Sequence, residues 1–186
     1  MKRLFLLALA IAALSITSVA VSATGGKLKC FADAPATCHL NGDGTATLTV
    51  PAGADAGVYY TNGKNTSGSL PANVNYTFQY TCTSSANCLA GGSPRLSIPI
   101  DSTGDGKTDG YAFIDALGCG YTNDTGLQTV STTLANCQVT YQGVTYANWD
   151  AFATANPAYT VGNNLPFVIA DQPFEGIIFS FTATKS

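Results

Sequence analysis

The chain has 186 residues, of which 10% are charged, and its formal net charge at pH 7 is −3. A hydrophobic fraction of 46% excludes an intrinsically disordered chain, and the length suits one domain with a sizeable core. An acidic surface repels the phosphates of nucleic acids and anionic membranes, so we expect neither as a partner.

Residues 1–23 have the features of a cleaved secretory signal peptide. Lys2 and Arg3 precede an apolar run over 4–14, and Val21-Ser22-Ala23 matches a small-x-small cleavage site. The run is shorter than the about 20 residues of a membrane span, so we expect no span after cleavage, with a retained N-terminal anchor as the alternative. Cleavage leaves residues 24–186 as one secreted domain, extracellular or at the cell surface, with six basic and eleven acidic residues and a net charge of −5.

Six cysteines in an exported chain predict disulfide bonds. They are Cys30, Cys38, Cys82, Cys88, Cys119 and Cys137. Fifteen pairings are open, and we favour the three between sequence neighbours because each closes a short loop. A thiolate zinc site is not expected, because there is no Cys-x-x-Cys pair and His39 is the only histidine.

Alternation of apolar and polar residues with a period of two predicts the strands. The alternation is clearest at 45–50, 74–81, 96–100 and 177–183, and further strand signals lie at 57–61, 111–116, 136–142 and 166–170. In the last strand, Ile177, Phe179 and Phe181 are expected on one face and Ile178 on the other. About eight short strands, each with one buried face, predict an all-β fold, an antiparallel β-sandwich of jelly-roll-like type.

The segment between the predicted strands 96–100 and 111–116 carries regularly spaced oxygen donors. Its sequence is Asp101-Ser-Thr-Gly-Asp105-Gly106-Lys-Thr-Asp109-Gly110. It resembles the calcium loops of integrin-type FG-GAP repeats and, less closely, those of dockerins and EF-hands. The resemblance implies a structural Ca²⁺ bound by the side chains of Asp101, Thr103, Asp105 and Asp109 and by the carbonyl oxygen of Lys107.

Two departures from the calcium pattern limit what the loop implies. Thr103 stands where Asp or Asn is usual, and Ala112 stands where an EF-hand has its bidentate Glu. A helix-loop-helix EF-hand is therefore not expected, and calcium binding should be weak, with a dissociation constant of about 10⁻⁴ to 10⁻³ M. The alternative is an Asp/Gly turn without a metal ion.

One short helix is predicted near the C-terminal third of the chain. Asn148 can cap a helix over 149–155 that Pro157 ends, with Trp149 and Phe152 on its buried side. We expect this helix to close one end of the sandwich.

The sequence contains no convincing catalytic arrangement. A Ser-His-Asp triad would have to use His39, and no Gly-x-Ser-x-Gly motif accompanies it. A glycan hydrolase needs two carboxylates, and Glu175 is the only glutamate, so the pair would be Glu175 with an Asp such as Asp171 or Asp150, or two Asp residues. Asp171-Gln-Pro173 is more typical of a turn. We therefore expect a secreted, calcium-stabilised binding or structural module rather than an enzyme, with a glycan hydrolase as the weaker alternative.

A carbohydrate-binding module is the most specific alternative, because the predicted architecture resembles such modules and the chain has nine Tyr and one Trp. The candidate aromatic residues are Tyr59, Tyr60, Tyr121, Tyr146, Trp149 and Tyr159. Alternation requires one of Tyr59 and Tyr60 to face water, whereas Trp149 fits a core position better.

Self-association or adhesion to a cell-surface component is a further alternative, through Thr-rich strand faces and an uncovered sheet edge. The segment 165–173 also resembles segments of uncharacterised exported bacterial proteins, which implies no function.

Overall fold

A computed structural model of the chain describes residues 28–60, 70, 75–88, 92–122 and 125–184. The predicted signal peptide, residues 1–23, lies outside the described residues. Within them the chain forms thirteen β-strands, the 3₁₀ helix Ser85–Asn87 and the α-helix α1, Trp149–Ala155.

The strands are short, apart from two long ones in the smaller sheet. In chain order they are β1 Leu28–Ala32, β2 Thr37–Leu40, β3 Ala46–Val50, β4 Ala56–Tyr60, β5 Asn75–Cys82, β6 Arg95–Asp101, β7 Gly110–Asp115, β8 Gln128–Ser131, β9 Val139–Tyr141, β10 Val144–Tyr146, β11 Thr160–Val161, β12 Phe167–Ala170 and β13 Phe174–Thr184.

These strands form two antiparallel sheets. The larger sheet has the order β1-β4-β12-β6-β7-β9-β10, and β11 also pairs with β6. The smaller sheet has the order β2-β3-β13-β5-β8. The predicted all-β sandwich is confirmed.

The core lies where the alternating apolar faces of the two sheets meet. On β5 the rings of Tyr76, Phe78 and Tyr80 are buried, and on β6 the core residues are Leu96, Ile98 and Ile100. Each fully buried large side chain contributes roughly 1.5 to 3 kcal/mol relative to an exposed one. The period-two pattern therefore correctly assigned these inward faces.

The predicted faces of the last strand are wrong, because a β-bulge interrupts it. The register of β13 against β5 shifts between Ile178 and Ser180, so that Phe179 is the extra residue. Ile178 and Phe181 both enter the core, while Phe179 is 40% exposed. An extra residue reverses the faces of a strand from that point on, which a strict period of two cannot anticipate.

Helix α1 begins and packs as predicted. The side chain of Asn148 accepts a hydrogen bond from the backbone N–H of Ala151 at 2.9 Å, and Trp149, Phe152 and Ala153 are buried. Trp149 also donates through its indole N–H to the carbonyl of Leu70 at 3.4 Å. The tryptophan is thus a core residue.

All three favoured disulfides are present: Cys30–Cys38, Cys82–Cys88 and Cys119–Cys137. Cys30–Cys38 joins β1, an edge of the larger sheet, to β2, an edge of the smaller one. Three disulfides indicate a non-reducing environment. In the described part of the chain, no helix has the length and apolar character needed to cross a membrane.

Candidate binding sites

The 101–109 loop connects β6 to β7, the strand-loop-strand setting expected for it. The backbone N–H of Asp109 donates to the carbonyl of Ile100 at 2.8 Å and closes the base of the loop. Gly106 has a φ of 82°, so this position needs the conformational freedom of glycine. The sequence thus correctly identified a sharp glycine turn between two strands.

Asp101 is the organising side chain of this loop. Its residue is 1% exposed, and its carboxylate accepts hydrogen bonds from the N–H groups of Gly104 at 2.7 Å and Gly106 at 2.8 Å. The hydroxyl of Thr160 on β11 donates to the same carboxylate at 3.2 Å. Burial acts to raise the pKa of Asp101, but these donors outweigh it and the pKa is lowered, so the carboxylate stays ionised.

Asp109 acts from the other end of the loop. One of its carboxylate oxygens accepts from the backbone N–H of Ser102 at 2.9 Å and of Thr103 at 3.0 Å, and from both hydroxyls at 3.0 Å. The donors on Ser102 and then those on Thr103 lower the pKa of Asp109. Asp105 is exposed, and it accepts from the N–H of Lys107 at 2.9 Å and pairs with the Lys107 ammonium at 3.3 Å.

The loop supplies the donor types that calcium prefers, and two of its carboxylates meet at one residue: the backbone N–H of Thr103 donates to Asp101 at 3.2 Å and to Asp109 at 3.0 Å. No group of three or more His, Cys, Asp or Glu side chains is placed to hold a metal ion within the described residues. Asp101 and Asp109 accept hydrogen bonds from N–H and O–H groups of the loop, and Asp101 also accepts from the Thr160 hydroxyl on β11. Calcium binding by Asp101, Thr103, Asp105, Lys107 and Asp109 stays a prediction.

The loop is also joined to the segment that leads into β12. Thr108 donates through its backbone N–H and its hydroxyl to the side-chain oxygen of Asn163, at 3.2 and 3.3 Å. The Thr108 hydroxyl oxygen accepts from the N–H of Asn164 at 3.0 Å, and the amide of Asn164 donates to the hydroxyl of Tyr111 at 2.8 Å. The loop thus fixes the residues immediately before Leu165.

A second candidate site lies on the outer face of the larger sheet. Because Ala56, Val58 and Tyr60 of β4 point into the core, Tyr59 points outwards, and the same alternation turns Phe167 of β12 outwards. We call the outward aromatic residues Phe31, Tyr59, Tyr111 and Phe167 the aromatic face.

The rings of the aromatic face are in mutual contact. The Phe31 ring lies 5.9 Å from that of Phe167 at an interplanar angle of 83°, and 6.4 Å from that of Tyr59. Tyr111 packs edge-on to Phe167 at 5.2 Å. The residue that pairs with Phe31 on β4 is Gly57, which leaves room for the Phe31 ring above the strand.

A groove of about 370 Å³ opens on this face. Its lining residues are Phe31, Asp55, Tyr59, Leu165, Phe167 and Ile169. Such a volume is in the usual range of small-ligand sites, which are mainly apolar and aromatic with a few polar groups. Asp55 is the one charged residue of the lining, and its carboxylate has no hydrogen-bond or ion-pair partner among the described residues.

Of the aromatic residues singled out in the sequence, only Tyr59 lines the groove. Tyr60 and Trp149 are buried, 8% and 3% exposed. Tyr121 is held by donation of its hydroxyl to the carbonyl of Thr129 at 2.7 Å. The remaining two, Tyr146 and Tyr159, pack on Phe152 of α1 with ring separations of 5.2 and 6.4 Å.

Sequence reasoning missed Phe31 and Phe167 as groove residues. Phe167 lies in a predicted strand, on the opposite face from the buried residues Val168 and Ala170. The alternation of this strand could therefore have predicted that Phe167 faces outwards. Phe31 lies in β1, a strand that the sequence did not predict.

The candidate catalytic residues do not form a recognisable site. His39 is exposed on β2, and Asp150 is in the first turn of α1. Asp171 forms an ion pair with Arg95 and accepts from the Ser93 hydroxyl at 3.0 Å. Glu175 lies on β13, paired with Thr49 of β3. Within the described residues no side-chain hydrogen bond links Glu175 to either aspartate.

The outer face of the smaller sheet is rich in hydroxyl and amide groups, as expected. Thr77 and Ser131 are hydrogen-bonded at 2.7 Å, and Gln79 donates to the hydroxyl of Thr129 at 3.2 Å. Self-association through this face or through a sheet edge stays a prediction.

Comparison with known proteins adds no relative. No protein-family model, no curated protein and no solved structure matches the chain.

Proposed function

We propose that this chain is a secreted, non-catalytic carbohydrate-binding module whose sugar ligand occupies the groove on the aromatic face. The observation that carries the proposal is the convergence of three rings, those of Phe31, Tyr59 and Phe167, on one open groove. Export is supported by the three disulfides and by the predicted signal peptide.

The chemistry of the groove suits a sugar ring. One face of a pyranose is made of C–H groups and packs against an aromatic ring, whereas its hydroxyls need hydrogen-bond partners. In the groove, the rings supply the apolar surface, and Asp55 supplies a carboxylate without a hydrogen-bond or ion-pair partner among the described residues. The Tyr59 hydroxyl is a further donor and acceptor.

The direct test is binding to a panel of soluble oligosaccharides, measured by isothermal titration calorimetry. We expect at least one to bind wild-type protein, and Tyr59→Ala and Phe167→Ala each to weaken binding about tenfold or more, because each removes a stacking surface. Phe179→Ala is the matched control, since Phe179 is 40% exposed but belongs to the smaller sheet. Equal weakening by all three variants, or no binding to cellulose, chitin, chitosan, xylan or peptidoglycan fragments, would contradict the proposal.

We also propose that Ca²⁺ binds the 101–109 loop as a structural ion. The spacing of its oxygen donors supports this role, and the hydrogen bonds between Thr108 and the segment before Leu165 connect the loop to one wall of the groove. A bound ion would stabilise the native state by mass action, by an amount that grows with calcium concentration.

Thermal unfolding with millimolar calcium and with excess chelator tests the metal site. We expect calcium to raise the Tm of wild-type protein and Asp105→Asn to reduce the rise, because it removes a charged ligand of the ion. The substitution should disturb the fold little, since Asp105 is exposed and Lys107 is its one partner among the described residues. Asp43→Asn is the control: Asp43 is also exposed and hydrogen-bonded within its own turn, to Thr45 at 2.7 Å. The same Tm in calcium and in chelator would contradict the proposal.

A further inference from the structure

Among the described residues that line the groove, Asp55 is negatively charged and none is positively charged. Asp55 is half-buried beside aromatic and aliphatic side chains, and no described group pairs with its carboxylate. Removing a carboxylate from water without giving it a partner costs free energy. A ligand that covers Asp55 should therefore bind better if it carries a compensating positive charge.

The two described basic residues on this face, Lys29 and Arg95, do not serve as that partner. Arg95 is paired with Asp171, and its guanidinium lies 4.4 Å from the centre of the Phe113 ring. Lys29 is exposed, and its pairing partner on β4 is Tyr59. Tyr59 lies four residues from Asp55 along the chain, a distance of about 13 Å in an extended strand.

The rings reinforce the preference for a cation. Phe31 and Phe167 meet at 83°, so that the face of one ring and the edge of the other border the same space. The face of an aromatic ring attracts a cation within about 6 Å of its centre. An aromatic corner beside a carboxylate that no described residue pairs with is therefore complementary to an ammonium group.

Resting on the carbohydrate-binding function proposed above, we infer that the preferred ligand is an amino sugar with a free, protonated amine, whose ammonium group pairs with Asp55 while its ring stacks in the groove. An N-acetylated oligosaccharide with the same number of sugar units has the same rings but no charge on its nitrogen atoms. A glucosamine oligosaccharide should thus bind more tightly than its N-acetylated counterpart.

Calorimetric titration with a chitosan hexamer and an N-acetylglucosamine hexamer tests this inference. At about pH 5.5 and low salt, where carboxylates are ionised and the amine is protonated, we expect about tenfold tighter binding of the chitosan hexamer. Asp55→Asn, which keeps the shape of the side chain, should abolish that preference. Asp33→Asn is the control, since Asp33 is exposed and does not line the groove. It lies next to Asp55, because its backbone N–H donates to the Asp55 carbonyl at 3.0 Å.

The outcomes separate this inference from the function on which it rests. Equal affinity for the two hexamers overturns the charge preference and leaves carbohydrate binding intact, and this comparison requires only wild-type protein. If Asp55→Asn and Asp33→Asn reduce the preference equally, the preference comes from the net charge of the protein, and the inference is also overturned. If neither hexamer nor any neutral glycan binds, the two proposals are overturned together. They are also overturned if the protein dimerises and Tyr59→Ala abolishes the dimer, because the groove is then an interface between two copies of the chain.

Discussion

Glycine at position 57 allows the Phe31 ring to lie against β4 on the aromatic face. A Cβ atom at this position would lie 2.5 Å from the Phe31 Cζ atom and closer still to the carbonyl oxygen of Val168. The carbonyl belongs to the backbone of β12 and cannot turn aside as a flexible side chain can. The groove thus depends on the absence of a single methyl group.

We expect Gly57→Ala to destabilise the fold by about 1 to 3 kcal/mol, the usual cost of overpacking, and to weaken ligand binding because Phe31 is displaced. Urea denaturation measures the first effect. Gly110→Ala is the control in the same sheet, where the nearest heavy atom to the new methyl group is Cε2 of Tyr141 at 3.3 Å. Similar losses for the two variants would show that the contact with the β12 backbone is not the cause.

At the scale of single elements, α1 shows how one side chain positions a whole helix. Asn148 accepts from the N–H of Ala151 at 2.9 Å and donates its amide to the carbonyl of Ala135 at 3.2 Å. The first contact caps the helix, and the second attaches it to the loop before β9. With both in place, Trp149 and Phe152 are directed into the core.

Loss of the cap should cost about 1 kcal/mol, within the range known for helix caps. We therefore expect Asn148→Ala to lower the free energy of unfolding by that amount, measured by urea denaturation. Asn148→Asp keeps the acceptor and adds a negative charge at the helix N-terminus, so it should retain most of the stability. If both variants lose the same amount, the amide donation to Ala135, rather than the cap, is the dominant contact.

At the scale of the whole molecule, the disulfides close loops of different lengths. The sequence separations are 6 for Cys82–Cys88, 8 for Cys30–Cys38 and 18 for Cys119–Cys137. In the chain-entropy account, a bridge stabilises by restricting the unfolded chain, and more so for a longer loop. Cys30–Cys38 differs in kind, because it connects the two sheets at their edges.

Replacing each cysteine pair by alanine tests this account. We expect losses of roughly 2 to 4 kcal/mol per bridge, with the loss for Cys119–Cys137 about 1 kcal/mol larger than that for Cys82–Cys88. Chemical denaturation of the three double variants gives the order. A loss for Cys30–Cys38 that exceeds the other two would show that joining the sheet edges stabilises the native state beyond the entropy of loop closure.

The sequence by itself determined what depends on local order along the chain. Each feature that could be predicted depends on residues close together in the sequence. These features are the strands with clear alternation, the cap at Asn148, the glycine turn at Gly106 and the three disulfides between cysteines that are neighbours in sequence. The short strands β1, β2, β8, β10 and β11 were not predicted, since so few residues carry too little periodicity.

The tertiary structure alone decided the groove and the faces of β13. Phe31, Tyr59 and Phe167 come from β1, β4 and β12, and only antiparallel pairing through Gly57 and its neighbours brings their rings together. The bulge at Phe179 arises from pairing with β5, a contact between residues about a hundred positions apart. The physical reason is the same in both cases: a pattern within one strand sets which residues alternate, whereas the neighbouring strands set which side chains meet.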